Sequence, residues 1–236
     1  MMGLLLSDAR KIKGTWIPWL LLVAPIGFSL LQVVNYMTRP EILKPLGWVG
    51  LMAQANYFWP VVLILGFAIA TSMVAGMEHD ASSWKVIFSL PINKFSTYVS
   101  KFFLLLIYII GFVFLTLIGL LLVGLLFSLG PIKWSLVLEQ LFYPCLAGIP
   151  VLALQLWISM IFHNQALSIT VGIIGAMLCL FLAYSSVKLF NILPWAYIPL
   201  ASPLNKGEYM QWPLFGVIIG VFLLIIGGIH FSKREL

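Results

Sequence analysis

The sequence predicts an all-α integral membrane protein. Six transmembrane helices are expected, with a surface helix between helices 2 and 3 and a re-entrant segment before helix 6. Three observations carry this. Only 8% of residues are charged and 62% are hydrophobic, whereas a soluble domain carries roughly 25% charged residues. Six stretches are long and oily enough to cross a bilayer, each offering about the 20 apolar residues a spanning helix needs. Between the second and third of them lies one long polar interruption, Glu78 to Lys101.

Residues 1–15 come first, with Leu4, Leu5 and Leu6 followed by Arg10, Lys11 and Lys13. This suits an amphipathic segment lying on the inner leaflet, its basic side among headgroups. The domain that follows, 16–236, holds the spans, expected near 16–36, 57–77, 97–128, 139–161, 166–187 and 213–231. Pro18 and Pro25 permit a kink in the first. The linker 37–56 leads to Tyr57, Phe58 and Trp59, expected as an interfacial belt. The third apolar stretch, Phe95 to Leu129, is 35 residues long, or about 52 Å of helix. It exceeds the hydrocarbon core of about 30 Å, so it tilts or protrudes, with Lys101 expected to snorkel to the headgroups.

Pro144 and Pro150 allow a bend in the fourth span, and the short turn 162–165 leads into the fifth. Gly172 and Gly175 there permit close helix approach. The linker 188–212 is too apolar for an exposed loop and too rich in proline for a straight span. It reads as a re-entrant or interfacial hairpin of short helices, with Trp195, Tyr197 and Trp212 at headgroup level. The sixth span contains Gly216 and Gly220, a GxxxG pattern that can form a close-packing face, for a second copy among other uses, although such matches are common in glycine-rich membrane helices.

Orientation follows from Lys and Arg near span ends. Arg10, Lys11, Lys13, Lys85, Lys94, Lys101, Lys233 and Arg234 share one side; Arg39, Lys44, Lys133, Lys188 and Lys206 share the other. The bias puts both termini and the 78–101 stretch in the cytoplasm. With the basic residues placed at span ends, the net charge of +6 reads as topology and lipid contact, and no nucleic-acid partner is expected. Cys145, Cys179, His79, His163 and His230 are scattered, so no metal site is expected, since zinc wants three or four clustered ligands.

Within the polar stretch, Ala81, Trp84, Ile87, Phe88 and Pro91 fall on one helical stripe. Glu78 and Asp80 stand at the expected start of this helix (78–92), where negative charge offsets the dipole. Asp80 or Ser82 is the candidate N-cap. Pro91 ends the helix, and Asn93 or Ser96 starts the long third span. By itself this pattern describes a helix on a membrane surface, with or without a partner.

The residues Glu78, Trp84-Lys85, Leu90-Pro91-Ile92, Tyr98 and Lys101 resemble the permease subunits of ABC-2-type exporters, and more narrowly the lantibiotic-immunity and bacitracin-export branch. That family carries an acidic residue after span 2, a Trp/Leu-Lys…Leu-Pro run, and a Lys opening span 3. Here Ser82-Ser83 stand where Gly-Thr is usual. The six-span layout and the linker before span 6 extend the resemblance over essentially the whole chain. The resemblance implies a type V exporter-like fold in a bacterial cytoplasmic membrane. It also implies that 78–92 is a coupling helix docking on a separate ABC ATPase, present in two copies and carrying ATP and Mg. Glu78, Asp80, Trp84, Lys85, Ile87, Phe88, Pro91 and Lys101 become the expected coupling residues. A second permease, identical or similar, completes the transporter.

The chain has no GxxxxGK[ST], so it cannot cradle ATP phosphates by a P-loop. It has no GxSxG, no HExxH and no paired intramembrane carboxylates, so it is not expected to be an enzyme or to bind a cofactor. Its spans hold almost no ionisable residues, which argues against an ion-coupled transporter or cation channel. A hydrophobic or amphipathic cargo, such as an antimicrobial peptide, fits better. Phe58, Trp59, Tyr143, Trp157 and Tyr184 are candidates for its path, or ordinary packing residues. Another ABC-2 cargo (lipid, polysaccharide, haem) and a non-transporting scaffold or sensor remain the alternatives.

Overall fold

A computed structural model describes residues 2–12, 14–80, 93–205 and 207–233. Among these the fold is all helix, 86%, with no strand. The elements are α1 (Met2–Ile12), α2 (Ile17–Thr38), α3 (Pro40–Leu43), α4 (Gly47–Asp80), α5 (Lys94–Leu126), α6 (Trp134–Ala147), α7 (Ile149–Ile161), α8 (Gln165–Tyr184), α9 (Pro194–Leu200) and α10 (Gln211–Ser232), with 3-10 turns at Lys44–Leu46 and Lys188–Ile192.

Pro18 sits in the first turn of α2, where its missing N–H costs nothing. α4 begins ten residues before the expected second span. The chain enters it through Gly47, whose φ of +54° is open to a residue without Cβ. Thus 47–56, expected as linker, is helix. Asn93 caps α5, its Oδ1 accepting from Phe95 N at 2.9 Å, and Asn164 caps α8 in the same way. The fourth span is broken as its prolines suggest: α6 and α7 meet at Gly148 with a bend of 40°.

α4 is the central helix and touches α2, α5, α6, α7, α8 and α9. It is apolar on every face, as a helix surrounded by others must be. Trp59 is fully buried, stacks on Phe112 at 5.7 Å and donates its Nε1–H to Leu141 O at 3.3 Å. The expected interfacial belt therefore splits: Tyr57 and Phe58 are exposed, while Trp59 is core. Its place is set by the helix period, which turns it toward α5 and α6.

The linker 188–212 does contain short helices, but its aromatics turn inward. Trp195 packs on Gly175 of α8, and buried Tyr197 packs on Trp212 at 5.3 Å. α9 is anchored by a polar chain. Gln140 of α6 donates to Asn56 Oδ1 of α4 at 3.0 Å and accepts from Ser202 Oγ at 2.7 Å. Gln140 and Ser202 are fully buried. Replacing Gln140 with Leu orphans both partners and is expected to lower stability by about 1–3 kcal/mol, read as a fall in the thermal midpoint in detergent. At the same end Tyr209 donates to Glu139 Oε2 at 3.1 Å, and that carboxylate raises the phenol's pKa.

The GxxxG face of α10 is used within the chain. A Cβ on Gly216 would meet the backbone of Ala147 and Leu146, and one on Gly220 would meet Ile149. α10 lies across the α6–α7 break, so this face is not free for a second copy.

Four described helices (α4 with its preceding turn, α5, α8 and α10) are long and apolar enough to cross a membrane. The bent α6–α7 pair makes five. In α2 the stretch Leu22–Thr38 is apolar but shorter.

Candidate functional site

The described flanks of the polar stretch, Asp80 and Asn93, stand at the same end of the bundle as α1. Glu78 lies in the last turn of α4, not in the first turn of a new helix. At a helix C-terminus a carboxylate opposes the dipole, so Glu78 needs cations, and it has two. Lys101 of α5 donates to its Oε1 at 2.8 Å, and Lys11 of α1 donates to the same oxygen at 3.1 Å. Lys101 also stands 3.5 Å from Asp8 Oδ1. The side chains of Glu78 and Lys101 are 1% and 2% exposed, whereas Lys11 is 46% exposed.

Lys101 therefore does not snorkel to headgroups. Its ammonium is held inward by two carboxylates, because a buried lysine requires paired charge. α1 is also fastened to the bundle. It rests on α5, Ile12 is fully buried, and Asp8 and Lys11, three apart and so on one face, tie it to both long helices.

The next residue turns elsewhere. His79 Nε2 lies 3.0 Å from Ser159 O of α7, and its ring meets His163 at 4.5 Å in the α7–α8 turn. Ser159 and Ser168 share a hydrogen bond of 2.6 Å beneath it. The histidines are thus not all scattered, although no group of three potential metal ligands occurs among the described residues. Adjacent residues at the end of α4 fasten it in two directions, Glu78 to α1 and α5, His79 to α7 and α8. The second Glu78 oxygen, Oε2, is buried with no hydrogen-bond partner among the described residues.

Of the residues singled out from sequence, Glu78 and Lys101 are brought together. Trp84, Lys85, Ile87, Phe88 and Pro91, with the surface helix itself, lie outside the described residues, as does the Asp80 side chain. Among the aromatics offered for a path, Phe58 and Tyr184 are exposed and Trp59 is core. Trp157 donates to His230 Nδ1 at 3.1 Å. Sequence reasoning missed Asp8, Lys11 and His79. A signal existed for the first: Asp8 is the lone acid in a basic segment, one turn from Lys11.

Comparison with curated proteins gave no significant match, and neither did comparison with solved structures. A family model described as ABC-2 family transporter protein matches residues 4–179. That stretch runs from α1 through the ion cluster into α8 and covers about three quarters of the chain. It names the family and not a branch. The apolar bundle with several crossings and the match over its greater part place this chain in the ABC-2 family of transporter membrane proteins.

Proposed function

We propose that the chain is the permease subunit of an ABC transporter, and that its 81–92 segment couples the bundle to a separate ATP-hydrolysing subunit. One observation carries the reading: both described flanks of that segment lead into a single buried ion cluster. A push on 81–92 reaches Glu78 within one turn of α4 on one side and Lys101 through the first two turns of α5 on the other. From there it passes to α4, α5 and α1 as one body, the kind of rigid-body switch that moves packed helices together. Glu78 Oε2, without a hydrogen-bond partner among the described residues, is an acceptor at the root of the segment.

On this reading Trp84, Ile87 and Phe88 anchor in a groove of the ATPase, as buried aromatics do at interface hot spots. Asp80 and Lys85 pair at the rim, and Pro91 ends the helix. ATP and Mg sit on the partner, two ATPase copies serve two permeases, and both termini face the cytoplasm of a bacterial cell. α2, 22 residues long and so about 33 Å, supplies the sixth crossing. The cargo class is hydrophobic or amphipathic, as the scarcity of charge in the spans suggests. An antimicrobial peptide of the lantibiotic or bacitracin type is its specific form.

The test is a mild-detergent purification from native membranes with mass spectrometry of what comes along. An ABC ATPase near equal stoichiometry is expected, and Trp84→Ala is expected to reduce its recovery about ten-fold or more, as loss of a hot-spot aromatic does. Recovery unchanged in Trp84→Ala would refute the coupling helix. A cysteine in place of Ser83 should react with an impermeant thiol reagent only in inside-out vesicles.

A further inference from the structure

We infer that the chain holds an anionic phospholipid of the adjoining leaflet, one acyl chain seated in a groove between α2, α4 and α5 and the phosphate at Arg10 and Lys11. The groove has a volume of about 260 Å³. Its floor is buried hydrocarbon: Leu63 and Phe67 of α4 with Ile109 and Phe112 of α5. Its rim is half-buried and small where it matters, with Ala24, Gly66 and Ala70 leaving the hollow. A Cβ built on Gly66 meets nothing within 4 Å, so the space is real and not merely the shadow of a mobile side chain.

Depth identifies the occupant. At 1.5 Å per residue, Ala70 stands about 12 Å along α4 from Glu78 and Val62 about 24 Å, while Tyr108 stands about 10 Å along α5 from Lys101. The hydrocarbon core is about 30 Å thick. With the ion cluster at the membrane surface, the near end of the groove lies at the depth of acyl methylenes and its far end passes the bilayer midplane, within reach of the tail of an extended chain. Its lining is apolar apart from the Tyr108 phenol at the near end. Water is excluded, since apolar cavities stay dry even at about 150 Å³. A peptide backbone or sugar is excluded as well, because its polar groups would go unsatisfied in hydrocarbon. A straight hydrocarbon chain gains dispersion contacts on three sides here, against one on a flat helix face.

Charge identifies the headgroup. α1 is tied to the ends of α4 and α5 by Lys11 and Asp8, with Lys11 bonded to Glu78 two turns of α4 beyond Ala70. The charges of Asp8, Lys11, Glu78 and Lys101 cancel, and Arg10 stands exposed beside them. Lys11 keeps two further N–H groups and half its surface. A phosphodiester with a net negative charge complements the remaining charge of Arg10 and can accept from the free N–H groups of Lys11, and Trp16 and Trp19, which follow in the chain, are exposed as interfacial anchors are. The inference needs only the membrane setting and stands apart from the ATPase reading.

The experiment uses the full chain in vesicles containing phosphatidylglycerol with a diazirine midway along one acyl chain, and the same chain on phosphatidylcholine. After photolysis the labelled peptides are mapped. Labelling is expected to concentrate on 62–70 and 108–112, with phosphatidylglycerol ahead. Gly66→Leu fills the hollow and should lower labelling there about five-fold or more. Gly111→Leu, at an equally open position of α5 outside the groove, should not. Arg10→Gln should erase the preference for phosphatidylglycerol and leave the groove labelled. Labelling spread evenly over the outward faces of α2, α8 and α10, or unchanged in Gly66→Leu, overturns the site. Equal labelling by both lipids in the wild type overturns the headgroup assignment. A disulfide between two copies carrying Ala70→Cys, formed in high yield, overturns the lipid in favour of a subunit contact.

Discussion

Glu78→Gln is expected to lower stability by about 3–5 kcal/mol, the cost of leaving a buried partner charge uncompensated. Lys101 is 2% exposed and cannot turn to water. With the carboxylate gone, Asp8 at 3.5 Å is its one remaining counter-charge among the described residues. The readout is the thermal midpoint of the detergent-solubilised protein by size exclusion. The loss should be insensitive to salt, because buried pairs are screened little. Lys11→Ala, at 46% exposure, should cost only about 0–1 kcal/mol, as surface pairs do. Glu78→Gln combined with Lys101→Met and Asp8→Asn should recover most of the loss, since removing the buried charges together also removes the burial penalty. A Glu78→Gln midpoint within the range of ordinary surface substitutions, about 0.5 kcal/mol, would mean that the cluster is not the joint described above. If the joint transmits motion, the triple variant will be stable yet poorly coupled, with ATPase recovery retained and cargo response lost.

Gly216→Ala gives the second large effect. The added methyl would lie 2.5 Å from Ala147 Cα and 2.7 Å from Leu146 O. These are backbone atoms at the α6–α7 break and cannot swing aside. Overpacking of this kind costs about 1–3 kcal/mol. Gly111→Ala, where the same methyl meets nothing within 4 Å, should instead gain about 0.5–1 kcal/mol from helix propensity. Thermal midpoints of the two variants should therefore move in opposite directions. If Gly216→Ala left the midpoint unchanged and shifted only the oligomeric state, the face would serve a second copy after all.

Membrane character and the helices were legible because they depend on local composition. Asn93 announces a helix start, Pro144 and Pro150 announce a break, and apolar length announces a crossing; the cap at Asn164 was read only from the structure. Glu78 and Lys101 were also legible as special, being charges beside oily helices. Their partners were not. Trp59 looked interfacial because aromatic clusters often are, and only the packing of α5 and α6 around α4 makes it core. Gly216 and Gly220 looked like a face for another copy because sequence shows a smooth patch without showing what fills it.

The chain by itself thus determined that it lives in a bilayer, that its apolar stretches are helices, and that it lacks a P-loop. Only the tertiary structure decided that Asp8 and Lys11 reach Glu78 and Lys101, that His79 faces His163, and that α10 closes over the bend at Gly148. The reason is physical. Helix formation in an apolar solvent satisfies hydrogen bonds within each segment, so apolar sequence announces it even where the helix ends are misplaced. Contacts between helices depend on shape and on charges far apart in the chain, and no window of residues contains them.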